Sequence, residues 1–213
     1  MEITPDHAEL FGMHAGDGTL YRTNTGTVWE LRGNLNEKEF YHHVVTPLLS
    51  KIGIHAQVQK RSGGPNGCLG VRCCQDDFHI LFKKAGFPVG KKTHTVRIPT
   101  TVLAGNREIH AAFLRGLFAT DGSFYLARIN GQKNATYPMI ELCSASQGLL
   151  DDTVRLLAEF DLEAKTWQRT PRSRGGTTYH LRLAGEQKTR TFISSIGLGN
   201  PKHQRIADRM RNL

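Results

Sequence analysis

Apolar residues change their period several times along the chain, and they do so twice in the same order. In the first half, "LFGMHAGDGTLY" (10–21) reads as an apolar helix that stops at Asp-Gly and passes into a strand. "TVWELR" (27–32) continues as a strand, and Phe40, Val44, Leu48 and Ile52 then recur at helical spacing. Pro47 falls inside that run and is expected to kink or break it. "IHAQVQKR" (54–61) alternates apolar and polar residues into the turn-rich "SGGPNG" (62–67), "CLGVRCC" (68–74) returns as its partner, and "FHILFKKAGF" (78–87) is helical.

The second half repeats the order. "LRGLFATDGSFY" (114–125) matches the first motif, "MIELC" (139–143) is a strand, and Leu150, Val154 and Leu157 mark a helix. "LEAKTWQR" (162–169) and "TYHLRLA" (178–184) flank the turn "TPRSRGG" (170–176), and "KTRTFISSIGL" (188–198) closes the half as a helix. Gly18 and Gly122 suit the left-handed position that commonly ends a helix. The pattern predicts an α+β chain of two pseudo-twofold-related αββαββα halves, 1–92 and 112–213, with 93–111 as connector. Each half is expected to lay its helices on one face of a four-stranded antiparallel sheet.

Asp17 and Asp121 stand in the last turn of their motif helices, where the helix dipole already concentrates negative charge. One such Asp-Gly is an ordinary turn signal; the same misplacement in both copies points to a compensating cation. Gly12 and Gly16 lie four apart on one helix face, as do Gly116 and Thr120. Small residues at that spacing let two helix backbones approach closely. Packed there, the helices would bring the acids out side by side, raising each other's pKa unless a metal neutralised them. Carboxylates plus backbone carbonyls are hard ligands of the kind Mg²⁺ takes, and such ions serve phosphodiester hydrolysis.

Charge narrows the partner. The formal net charge is +9, split as +4 over residues 1–107 and +5 over 108–213, so no single tail carries it. Strand alternation predicts where it acts. His55, Gln57, Gln59 and Arg61 share a face that Arg72 joins from the partner strand; Lys165, Trp167 and Arg169 share another with His180 and Arg182. Amides and guanidinium groups can pair with purine edges in the major groove, and acids are nearly absent from these positions. Arg22, Arg32, Arg128 and Lys133 extend the surfaces, while Trp167 could instead be a packing residue. The four cysteines form no Cys-x-x-Cys pair and read as buried free thiols in a reducing cytoplasm. No apolar run is long enough to span a membrane, and the N-terminus lacks the apolar core of a signal peptide.

Both motifs resemble the LAGLIDADG motif in their leucine, first glycine and terminal Asp-Gly; the first departs from it at Met13 and His14. His14 is read as a packing residue within or beside the helix pair rather than a ligand. The resemblance implies a monomeric homing endonuclease whose two sheets form a saddle on double-stranded DNA. It implies a Mg²⁺- or Mn²⁺-dependent double-strand break with short 3′ overhangs in an asymmetric target of about two helical turns. Carried over residue by residue, Asp17 and Asp121 are the metal-binding acids, with the carbonyls of Gly16 and Thr120 assisting. The family often places a lysine after the last helix of a half. Aligning "AGFPVGKK" (85–92) with "IGLGNPKH" (196–203) sets Lys91 on Lys202, with Lys92 a close competitor. A free-standing, intron-encoded protein without obligate protein partner is expected, rather than an intein. An RNA-binding intron maturase on the same fold is the alternative, and a plain DNA-binding regulator a third reading.

Overall fold

Both motif segments fold as helices capped by their own neighbours. In the computed structural model, which describes residues 2–61, 67–129, 131, 133–171 and 176–211, α1 spans Pro5–Ala15. Its first turn is closed by Thr4, whose side chain accepts from the His7 amide. Helix α6 (Arg107–Thr120) is capped by Asn106, whose side-chain oxygen accepts from Ile109 N at 3.0 Å. It therefore begins inside the stretch that the sequence reads as connector.

Each helix leads into an antiparallel sheet. Strands β1 (Gly18–Thr23), β2 (Gly26–Asn34), β3 (Val58–Arg61) and β4 (Cys68–Cys73) pair in the order β1-β2-β4-β3. Strands β5 (Gly122–Ala127), β6 (Tyr137–Ser144), β7 (Lys165–Arg169) and β8 (Thr178–Ala184) pair as β5-β6-β8-β7. The register repeats as well: Gly18 lies opposite Leu31, and Gly122 opposite Leu142. The α+β reading with two four-stranded sheets is the architecture found.

Several local expectations differ. Gly18 and Gly122 are not left-handed; they start β1 and β5. Glycine is required there because a Cβ would lie 2.5 Å from His14 Cα at one site and 2.3 Å from the Phe118 carbonyl oxygen at the other. Pro47 does not break its helical segment. A 3-10 turn (Leu35–Glu37), α2 (Lys38–Phe40) and a π turn (Tyr41–Val45) run on into α3 (Thr46–Lys51), so Pro47 stands inside one helical segment, just after the π turn that makes it irregular. The matching α7 (Gln147–Ala158) has no such interruption. Helices α4 (Asp76–Lys84) and α8 (Glu186–Ser195) close the halves. Short α5 (Thr100–Leu103) and the terminal α9 (Pro201–Arg211) were not foreseen. Residues 62–66 and 172–175 of the two turn-rich stretches lie outside the described residues. Of the cysteines only Cys73 is buried; Cys74 and Cys143 are exposed.

Apolar side chains of the strands and helices form the core between them. Trp29, Leu31, Phe11 and Phe82 fill the first half, and Leu181, Leu183, Phe118 and Phe192 the second. The halves meet along α1 and α6. A Cβ on Gly116 would stand 1.9 Å from the Glu9 carbonyl oxygen, and one on Gly12 2.1 Å from that of Phe113. The backbones touch, and Arg115 of α6 closes the flank with an ion pair to Glu9 of α1 at 2.6 Å.

Gly116→Ala is therefore expected to separate the helices and destabilise the fold by roughly 2 kcal/mol or more, the range for overpacking a tight contact. Urea unfolding of the two proteins measures it; an unchanged midpoint would mean the helices can part freely.

Candidate functional site

Because the helices touch, their C-terminal ends emerge together. The Gly16 backbone lies against the other half: a Cβ there would be 2.2 Å from Thr120 Oγ1 and 2.9 Å from Asp121 Oδ1. Asp121 follows the last residue of α6 and is mostly enclosed, whereas Asp17 stays open on one side. Loss of water raises both carboxyls. Asp17 is raised further by Glu37, and Asp121, with Asp17 as neighbour, is pushed up to about 7. Two acids and adjacent carbonyls form a hard-oxygen set that suits Mg²⁺ or Mn²⁺. Among the described residues no group of three or more His, Cys, Asp or Glu side chains could hold a metal ion.

The lysines divide differently from the alignment. Lys92, not Lys91, reaches the acids: its Nζ donates to the carbonyls of Ala15 at 2.7 Å and Gly16 at 2.6 Å. Lys91 is exposed. The cause is a phase difference, since the first copy turns through residues 92–95 while the second runs directly into α9. His203, opposite Lys92 in the alignment, is buried and stacked on Phe124 at 4.6 Å. Burial first and Lys202 second hold its imidazole down to about 4. Lys202 does come to the site, with Nζ on Glu37 Oε1 at 2.7 Å.

Glu37 escaped the sequence reading. Its spacing from Asn34 marks a helix start, and Oε2 indeed accepts from the Asn34 amide at 3.0 Å. Nothing in the pattern shows that Oε1 crosses to the other half. Asn200 secures that crossing by donating to the Ala119 carbonyl at the end of α6, 2.9 Å away. His14 turns away from the helix pair into the first core. It accepts from Trp29 Nε1 at 3.1 Å between the rings of Phe82 and Phe87, and burial holds it neutral.

Pairing puts most of the polar strand positions on the faces away from the helices. Arg32 and Arg72 share one face with Gln59 and Arg61, and Lys165, Trp167, Arg169, His180 and Arg182 share the other. His55 and Gln57 continue the first alternation, exposed, just before β3 begins. Arg22 is the exception: opposite Thr27, it registers with Leu20 and Trp29 on the helix side of the sheet. Arg128 and Lys133 are exposed in the loop after β5. Trp167 stacks on His180 at 5.0 Å, with the Arg182 guanidinium 4.9 Å from its ring centre. Acids are absent from those positions, but Glu30 of β2 and Glu141 of β6 also lie on these faces and bind arginines.

Two sheets hung on touching motif helices, with an acid at the end of each, define the LAGLIDADG class of fold. Residues 108–197 match the family model described as a LAGLIDADG-like domain. The whole chain superposes on I-DmoI in complex with DNA and Ca, with a TM-score of 0.65 at 14% identity, covering 96% of this chain and 97% of that one. The chain carries a LAGLIDADG-like domain over residues 108–197 and as a whole has the fold of I-DmoI. It is 32% identical over 206 residues to the tRNA-splicing ligase RtcB of Pyrococcus abyssi. It is 34% identical over 179 residues to the ribonucleoside-diphosphate reductase NrdEB subunit alpha of Bacillus subtilis. The matches take in 89% and 79% of this chain but 21% and 16% of those proteins, so the chain spans about a fifth of their length. No described helix is long and apolar enough to cross a membrane.

The raised Asp121 pKa has a consequence for stability without metal. Folded, this carboxyl keeps its proton to about pH 7; unfolded, it ionises near pH 4. Its contribution is therefore full below about pH 4 and lost as pH rises through about 7. Asp121→Asn, which cannot ionise, should gain stability relative to the native chain between about pH 5 and pH 8 in metal-free buffer. Urea unfolding at both values checks this, and a difference that does not move with pH would mean Asp121 is ionised throughout.

Proposed function

We propose that the chain is a divalent-metal-dependent, site-specific DNA endonuclease of the homing type, acting as a monomer on a long asymmetric duplex. The observation that carries the reading is the pair of acids at the ends of touching helices, under Lys92, between two open polar sheet faces. I-DmoI, the fold's relative, has been solved with its target DNA in the presence of Mn and of Mg. Residues 1–92 and 112–213 are taken as the two DNA-reading halves and 93–111 as their connector.

Asp17 and Asp121, with the carbonyls of Gly16 and Thr120, would hold the metal. A bound divalent cation supplies charge to the scissile phosphate and acidifies water. Lys92, beside both acids, stabilises negative charge that develops on the phosphate. Lys202, held by Glu37, does so from the other half. The open faces bind the duplex as a saddle, and the net charge of +9 favours the polyanion. The two faces present different side chains at matched positions, which favours a target of two unlike half-sites. The recurrence of this segment within much longer proteins of unrelated names supports an element carried inside host proteins, as an intein is, over a free-standing intron product.

Cleavage of a randomised duplex library, with Mg²⁺ and with EDTA, tests the reading. Asp17→Asn and Asp121→Asn should each abolish double-strand cleavage and keep DNA affinity. Lys92→Met should slow cleavage ~10-fold or more, the worth of one electrostatic stabiliser, while Lys91→Ala changes the rate little. Wild-type cutting by either asparagine variant would sink the mechanism, and equal rates for the two lysine variants would remove Lys92 from it.

A further inference from the structure

Glutamates on a DNA-facing surface oppose binding, since each repels phosphate. Two occur here, and they occupy one position repeated by the fold. Glu30 lies opposite Thr19 and Arg72 in the first sheet; Glu141 lies opposite Ser123 and Arg182 in the second. Each directly precedes the leucine that faces the motif's last glycine. A repulsive charge kept at the same place in both halves needs a reason other than affinity.

We infer that Glu30 and Glu141 are positioning residues that fix arginines on the open sheet faces and thereby set which bases each half-site prefers. This rests on the endonuclease reading. Glu30 is only 1% exposed, enclosed on that face by its own partners. Arg32 reaches Oε2 at 2.6 Å, Arg61 reaches Oε1 at 2.8 Å, and the Tyr21 hydroxyl donates to Oε2 at 3.2 Å. Gly70, opposite Arg32, makes room: a Cβ there would be 2.6 Å from the Leu31 carbonyl oxygen and 3.3 Å from Arg32 Cγ. Glu141 binds Arg182, which Trp167 supports from its ring face, and Tyr125 stands to Glu141 in the register as Tyr21 stands to Glu30.

A free arginine side chain carries rotamer entropy that base pairing must overcome. Held by a glutamate, it meets the groove already oriented, with its remaining N–H groups free to pair bidentately with guanine. The glutamate also offsets positive charge, the whole of that on Arg182 and half of that on Arg32 and Arg61, so the arginines gain less from an arbitrary phosphate. Discrimination rises while non-specific affinity falls. The first half fixes two guanidinium groups in this way and the second fixes one, so the two half-sites are affected separately.

The test is selection of bound sites from a randomised duplex library by the full chain, with Glu30→Gln and Glu141→Gln beside wild type. Thermal midpoints and affinity for a random-sequence duplex are measured in parallel. Each variant should lose base preference, by about 10-fold at the affected positions given the worth of a bidentate pair, in one half-site only and not the same one. Binding to random duplex should hold or tighten. Arg182→Lys keeps the charge without the fork and should relax the half-site that Glu141→Gln relaxes, which keeps the test open should Glu30→Gln unfold. Variants that select the wild-type site, lose both half-sites together, or lose specific and random binding equally overturn this inference alone. A wild-type chain that selects no duplex overturns the endonuclease reading and this inference with it.

Discussion

The contact between the backbones of α1 and α6 is the constraint on which the molecule depends. Gly12 and Gly116 leave no room for a side chain, and that absence brings two helix ends from different halves into one place. Were the helices held at the distance ordinary residues impose, about 8–10 Å between axes, Asp17 and Asp121 would belong to separate surfaces. Their closeness is thus a property of packing far more than of the aspartates. The ion pair of Glu9 with Arg115, and the bonds from Lys202 and Asn200 to Glu37, add links between the halves.

That packing sets an electrostatic problem which the fold alone leaves only partly solved. Two neighbouring carboxyls at helix C-termini, one of them mostly enclosed by protein, cannot both ionise cheaply, and the rise of Asp121 to about 7 expresses this. Lys92 supplies one positive charge, bound to the carbonyls of Ala15 and Gly16, but it is itself half-buried and its pKa is lowered by that burial. A site poised in this way gains most from a cation that arrives with its own waters and a phosphate. Stability given up at the helix ends is the usual accompaniment of a site built for a ligand.

The same physics explains what could be read from residues alone. Period and order carried the two halves, the strand faces and the acids, because apolar patterning and repetition are local. What failed depended on phase or on partners distant in sequence. Lys91 was preferred to Lys92 because a gap-free alignment assumes that both copies leave their last helix alike, and only one runs into α9. Gly18 and Gly122 were assigned a turn conformation when the need was clearance beside His14 and Phe118. Glu30 read as one polar residue of a strand, since nothing nearby in sequence shows Arg61 folding back on it from 31 residues away. Glu37 looked like an ordinary capping residue, which it also is.

The halves are alike where chemistry requires it and unlike where recognition would require it. Acids, touching glycines, and the Tyr–Glu positions recur in matched register, while the arginines bound by the two glutamates come from different positions. The first half then departs: it takes a histidine into its core, interrupts its middle helix with a π turn, and falls outside the segment that matches the family model. Its open face holds two guanidinium groups on one buried glutamate, whereas the second stacks Trp167 on His180 beside a single arginine. A pseudo-twofold chain can vary the two faces independently because the α1–α6 contact, not the sheets, keeps the acids together. Sequence change on the strands therefore alters the open faces without moving the paired acids.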